Sequence, residues 1–261
     1  MVFVFGLAVG SFLNTVIHRL VPGESFLLKR SYCPKCKHVL AWHDLIPVLS
    51  FLYLKGRCRY CSKKISWQYP LVEVATGFLF VLIANYELGI RNYELINFEN
   101  IISSLFLILT SCFLIVIFVY DLKYYIIPDK IVYPAVAGAV LYRFFEIWNF
   151  GNWHFFGIGN LGFGILPSLF FLAIILLSMG QWMGMGDFKL AFLMGLFLGW
   201  PNILVALFFA FCFGAIIGIG LMIFGKKNLK SEVPFGPFLV TGTFFALFWG
   251  EIIISWYFNL L

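Results

Sequence analysis

Long, nearly uncharged apolar blocks recur along this chain and leave few folds open to it. A block apolar on every side, and about twenty residues long, has no stable place on a water-soluble domain but matches the thickness of a bilayer core. About eight such segments occur, at residues 2–18, 69–87, 101–120, 131–147, 160–179, 187–199, 201–224 and 236–258. The sixth is short and ends at Gly199-Trp200-Pro201, so it reads as a tilted span before a tight turn or as a re-entrant piece. Charged residues make up 11% of the 261 positions, about half the share usual in soluble domains, against 62% hydrophobic. This excludes a lone soluble globule, a disordered chain and a disulfide-stapled secreted module. The expected fold is an all-α polytopic membrane protein of about eight transmembrane helices.

Charge placement predicts the orientation. With the N-terminus outside, the inner segments (His18–Gln68, Asp121–Lys130, Gln181–Lys189 and Gly225–Phe235) hold all but two of the 18 Lys and Arg, leaving Arg91 and Arg143 outside. Both termini are then external. Trp148, Trp153, Trp200, Trp249 and Trp256 fall near the outer interface, as an aromatic belt does. The net charge of +6 thus points to the membrane rather than to nucleic acid. The first segment does not read as a signal peptide, with nothing basic before it and His18-Arg19 after it. Three parts result: a first helix (1–20), a polar cytosolic insert (21–68) and a membrane bundle (69–261).

The insert holds Cys33-Pro34-Lys35-Cys36 and Cys58-Arg59-Tyr60-Cys61. Each C-x2-C knuckle can offer two corners of a tetrahedron, and the linker between the pairs is long enough to fold back. A closed four-cysteine zinc site of structural character is the expectation. Redox C-x-x-C pairs or plain thiols are the alternatives, and a reducing cytosol argues against two disulfides. Cys112 and Cys212, inside apolar spans, read as packing residues, and His38 and His43 as surface residues.

Two acids fall where apolar spans meet the inner interface. Asp121 follows Phe118-Val119-Tyr120, and Asp187 ends Gly184-Met185-Gly186-Asp187; Asp129 follows Ile127-Pro128 nearby. Ionisable groups at such depth are functional candidates. Two neighbouring carboxylates sharing one proton can activate a water and protonate a leaving amine, as aspartic proteases do. Gly184 and Gly186 would let backbone approach closely. The plainer readings are a helix cap for Asp187, an interfacial acid for Asp121 and a turn residue for Asp129. Intramembrane acids also mark proton-coupled transporters, but no internal repeat is seen. A thiol oxidoreductase would want its C-x-x-C pairs at an oxidising face.

These motifs, in this order, resemble the type IV prepilin peptidases over nearly the whole chain. The matching stretches are Gly10-Ser11-Phe12-Leu13-Asn14, Arg30-Ser31-Tyr32-Cys33-Pro34-Lys35-Cys36, Ile46-Pro47-Val48-Leu49-Ser50, Gly56-Arg57-Cys58-Arg59-Tyr60-Cys61 and Tyr69-Pro70-Leu71-Val72-Glu73. Asp121, Ile127-Pro128-Asp129, the G-x-G-D motif at 184–187 and Pro234-Phe235-Gly236-Pro237-Phe238 complete the match. The resemblance implies a bacterial inner-membrane enzyme with Asp121 and Asp187 as the catalytic pair and Asp129 in support, beside Gly184, Gly186 and Lys189. Its substrate would be a prepilin or a type II secretion pseudopilin, cleaved after a Gly at the end of a short basic leader. The new N-terminal residue, usually Phe, would be methylated from S-adenosylmethionine. The cysteine insert goes with that second activity, for which Gly56, Glu73, Arg19 and Arg30 are candidates. Arg19 and Arg30 read equally well as lipid-headgroup anchors, and Asn14 as an interhelical hydrogen-bonding residue. Gln68 stands where the family commonly has Arg, which leaves a peptidase without methyl transfer as the alternative. The sequence does not fix the oligomeric state.

Overall fold

The computed structural model describes residues 1–20, 30–90, 98–150, 155–181, 183–223 and 233–260. Expectations resting on Arg91, Trp153, the side chain of Trp148, residues 21–29 or the basic run at 226–230 lie outside the described residues.

Helices dominate, and no strand occurs among the described residues. They are α1 (Val2–Leu20), a short α2 (Leu49–Tyr53), α3 (Gln68–Ile90), α4 (Phe98–Tyr124), α5 (Asp129–Phe150), α6 (Phe155–Leu177), α7 (Met185–Leu198), α8 (Asn202–Ile223) and α9 (Gly236–Phe258). Eight of the nine correspond to the eight apolar segments, so the fold is all-α and polytopic. Five of them, α1, α3, α4, α8 and α9, contain stretches long and apolar enough to cross a membrane. A smaller structure built on α2, the 3-10 turn Trp42–Leu45 and the cysteine knuckles sits between α1 and α3. The chain clusters into two compact units, Met1–Val116 and Ile117–Leu261.

Close helix approach, not side-chain bulk, holds each unit's principal helix pair together. In the first unit α1 lies so near α3 that a Cβ on Gly6 would stand 2.7 Å from the Gly77 Cα, and one on Gly10 would stand 2.7 Å from the Glu73 Cα. Small residues of this kind drive helix association in lipid, where no hydrophobic force acts between helices. Asn14, one turn beyond Gly10, donates from Nδ2 to the Tyr69 carbonyl at 3.0 Å, the interhelical role its position suggests. In the second unit α8 packs on α9 with Gly242 against the backbone of Ala206 and Ala210.

α7 is only 14 residues long, about 21 Å, too short to cross a 30 Å core. Its last carbonyls therefore need partners. Arg143 of α5 supplies them, donating from Nε to Leu196 O at 2.7 Å and from an Nη to Phe197 O at 3.0 Å. Glu146 balances that guanidinium at 2.7 Å.

Some expected boundaries move. α4 runs on to Tyr124, so Asp121 belongs to its last turn rather than to the stretch after it. α5 begins at Asp129, which is the first residue of a helix and not a loop residue. Cys112 and Cys212 are half-buried rather than fully packed.

Candidate functional site

Helix ends bring the acids of the second unit together. Asp121, 4% exposed, accepts a hydrogen bond at Oδ2 from the Gly236 amide at 3.1 Å, at the start of α9. Asp187 stands in the first turn of α7, behind Gly184, the extended residue just before the helix. Its carboxylate accepts from the Gly184 amide and lies close enough to Asp121 for the two charges to repel. A capping contact and proximity to the second acid thus coexist at one residue.

Ile127 fills the space between these helix ends. A Cβ on Gly186 would stand 3.0 Å from the Ile127 Cβ, and one on Gly236 would stand 3.4 Å from its Cδ1 and 2.5 Å from Asp121 Oδ2. Close approach therefore accounts for Gly186 and Gly236. Gly184 is different: a Cβ there would meet nothing nearer than 3.9 Å, so its smallness serves no packing among the described residues.

Lys189 does not face Asp187, because residues two apart on a helix point to different sides. Its Nζ instead meets Asp129 Oδ1 at 2.7 Å and lies 4.9 Å from the Tyr133 ring centroid. That pair joins the first turns of α5 and α7. Sequence spacing put Lys189 two residues from Asp187, among the supporting residues, and missed this pairing. It also missed Gly236 as a hydrogen-bond donor; the only signal was a glycine placed directly before Pro237 at a helix start.

The cysteine insert of the first unit is built as two copies of one turn. In each, the first Cys amide donates to the carbonyl five residues on (Cys33 to His38, Cys58 to Lys63, both 2.9 Å). In each, the amide four residues on returns to the Cys carbonyl at 2.8 Å, and a single bridge closes the loop (Tyr32 with Val39, Arg57 with Lys64). Four Sγ atoms converge within 4.8 Å of one another. A tetrahedron with Zn–S bonds of about 2.3 Å has edges of roughly 3.8 Å, so the donor set fits. The acidities agree. Burial acts against the Cys33 thiolate, but the amides of Cys36 and Lys35 outweigh it and hold the thiol down at about 7. Cys61, although the Lys63 amide favours its thiolate, is pushed up to about 11 by burial and by sharing hydrogens with Cys58, Cys36 and Cys33. Four thiolates here need a cation.

Other side chains brace the insert. Tyr60 stacks on His38 with centroids 3.7 Å apart, linking the two knuckles. The Asp44 side chain, 3% exposed, receives Arg59 Nε at 2.8 Å and the Tyr60 hydroxyl at 3.2 Å. Burial would raise its pKa, but the Arg59 hydrogen bond, the Ala41 amide and the Arg59 charge carry it below the ordinary value. Gly56 turns the chain with φ +68°, a left-handed conformation that suits glycine. Its Cβ position would stand 3.1 Å from the Phe51 ring.

Glu73, 7% exposed, ties insert to helix: its Oε2 receives the Val48 amide at 2.8 Å, and the Ser11 hydroxyl is a second donor. Val48 itself holds φ 60°, an outlier for a β-branched residue, so the loop is fixed against its own preference. Arg19, 2% exposed, donates to the Arg30 carbonyl at 3.1 Å.

A polytopic helical protein with two close acids at helix ends and a four-cysteine insert describes a class of membrane enzyme. The comparisons name it. Residues 4–86 match the bacterial peptidase A24 N-terminal domain, and residues 108–219 match the type IV leader peptidase family. The chain is 33% identical to the prepilin leader peptidase/N-methyltransferase of Aeromonas hydrophila, over 98% of this chain and 92% of that one. Its similarity to the protein of the same name from Bacillus subtilis is 32%, over 98% and 96%. For Pseudomonas aeruginosa the identity is 28%, over 97% and 90%. No solved structure matches. The chain belongs to the type IV leader peptidase family and is a multi-pass membrane enzyme.

Proposed function

We propose that the chain cleaves the short basic leader from a type IV prepilin or a type II secretion pseudopilin, with Asp121 and Asp187 as the catalytic pair. It then methylates the new N-terminus, usually Phe, from S-adenosylmethionine. The observation that carries this reading is the meeting of Asp187 with Asp121 where the Gly236 amide holds the latter. Two such carboxylates share one proton. The ionised one takes a proton from a water, whose oxygen attacks the scissile carbonyl; the protonated one supports the carbonyl oxygen and then supplies the proton with which the amine leaves. Asp129 and Lys189 hold the first turns of α5 and α7 in register, and Gly184 and Gly186 start α7.

The relatives' names pair the peptidase with an N-methyltransferase. Two buried acceptors support a site for the freed amine in the first unit: Glu73, and Asn14 Oδ1, which has no partner among the described residues. Acceptors suit an ammonium or amine. S-adenosylmethionine, when bound, supplies an electrophilic methyl group to that amine. Glu73 would orient the amine, Arg19 and Arg30 would lie on the cofactor's side, and Gly56 shapes the turn beside the second knuckle. Zinc on Cys33, Cys36, Cys58 and Cys61 would be structural. We place the insert (21–68) in the cytosol of a bacterial cell, the bundle (69–261) in the inner membrane, and both termini outside. The excess of basic charge on the insert would suit the membrane rather than nucleic acid.

The test is to incubate purified protein with a prepilin and labelled S-adenosylmethionine and to follow cleavage and methylation separately. Asp121→Asn and Asp187→Asn should each abolish cleavage, because an amide can neither accept nor donate the required proton. On a pre-cleaved pilin both variants should still methylate. Substantial cleavage by a well-inserted Asp187→Asn protein would rule the pair out and favour a proton-coupled transporter.

A further inference from the structure

The insert exposes several large apolar side chains close together in sequence, the kind of patch that marks an interaction surface. Trp42 is 79% exposed, Leu49 65%, Leu52 60% and Tyr53 80%. Leu49, Leu52 and Tyr53 lie on α2, whose one buried residue, Phe51, points the other way.

Two contacts fix where α2 lies. Phe51 packs on Trp67 with centroids 4.9 Å apart and the rings tilted by 59°, and Trp67 immediately precedes α3. Val48, the residue before α2, gives its amide to Glu73, which sits five residues inside α3, or about 7.5 Å along its axis. Helical side chains lean toward the N-terminus, so the Glu73 carboxylate reaches back toward the first turn. α2 is therefore held alongside the opening turn of a membrane-spanning helix, at the depth where headgroups meet acyl chains. The exposed face carries Trp, Tyr and Leu, the residues suited to that boundary. Charge agrees: residues 30–67 hold eight Lys and Arg and a single acid, Asp44, which is itself occupied by Arg59.

We propose that the insert is seated in the lipid interface through Trp42, Leu49, Leu52 and Tyr53, with Lys55, Arg57 and Lys64 positioned for anionic headgroups. The metal-bearing knuckles are thereby held at the bilayer surface instead of swinging free on α1 and α3. This reading concerns lipid alone and stands apart from the proposed catalytic activities.

The test uses the full chain in vesicles of phosphatidylcholine and phosphatidylglycerol. Benzoylphenylalanine is introduced in place of Leu52, Tyr53 or, as a reference on the second knuckle, Lys63. The Tyr53 replacement keeps an aromatic ring at an exposed position, so the fold survives even if the Leu52 variant fails. Irradiation should give lipid adducts at 52 and 53 in several-fold excess over 63. In a second measurement, brominated lipid should quench the parent chain's emission more than that of Trp42→Phe. Adducts at 53 mainly to this chain, to a second copy or to an added prepilin would overturn the proposal in favour of a protein partner. Lipid yields at 53 no higher than at 63 would overturn it outright.

Discussion

Adding one methyl group at Gly236 tests the geometry of the aspartate pair more finely than removing a carboxylate. Gly236 opens α9, and its amide holds Asp121. An Ala Cβ would stand 2.5 Å from Oδ2 and 3.2 Å from Cγ of Asp121, with Ile127 Cδ1 at 3.4 Å on another side. Ordinary contact begins near 3.4 Å, so the carboxylate must retreat by about 0.9 Å. Ile127, already against Gly186, cannot simply make way. Misplacement by ~1 Å can cost a catalytic group about 10²-fold, equivalent to about 2.7 kcal/mol of barrier. Gly236→Ala should therefore lower the turnover of prepilin cleavage about a hundredfold while the protein inserts normally. Two comparators separate geometry from stability. Gly218→Ala, with open space around it, should leave turnover unchanged, whereas Gly242→Ala, which drives into the Ala206 backbone, should lower thermal stability as well as activity. The assay is single-substrate cleavage in liposomes, alongside thermal melting of each variant. Turnover within about threefold of wild type for a well-inserted Gly236→Ala protein would refute the claim that Asp121 works where it is held.

Three further outcomes follow from the same geometry. Metal analysis should give about one equivalent per chain, and chelation or Cys58→Ser should expose the insert to protease while the membrane helices survive. Asp44 has a depressed pKa in the folded insert, so its contribution is fully present above the ordinary carboxylate range and is lost as pH falls through the folded value. Its partner Arg59 is 40% exposed, so screening limits that contribution to about 1 kcal/mol. Cysteine protonation releases metal from both proteins on acidification, so the readout is their difference: Asp44→Asn should hold metal less well than wild type near neutral pH and no worse once Asp44 is protonated. Arg143→Gln should unpair the α7 carbonyls, cost about 1–3 kcal/mol in thermal stability and reduce cleavage, because the helix it clasps carries Asp187 at its other end.

The features readable from sequence are those written in local spacing. Eight apolar blocks give eight helices because a block apolar all round has only the bilayer to enter, and two C-x2-C pairs give a four-sulfur cluster because each knuckle is a self-contained turn. The partnerships of the acids are written elsewhere. Lys189 stands two residues from Asp187 but pairs with Asp129, 60 residues away; Asp121 takes its hydrogen bond from Gly236, 115 residues away. No periodicity carries such information, since it depends on which helix ends meet. The same gap explains the ambiguous sixth segment. Its shortness is visible in the sequence, but the reason a short helix can end where it does is Arg143, on the preceding-but-one helix. The reverse case is Gly184, half of the G-x-G that first drew notice. Its partner Gly186 is explained by Ile127, yet around Gly184 the protein itself demands nothing small. On the proposed reading, the open space at Gly184, whose amide meets Asp187, is where an extended substrate strand would have to pass. The demand for glycine at 184 would then come from the substrate, which neither the sequence nor the folded chain contains.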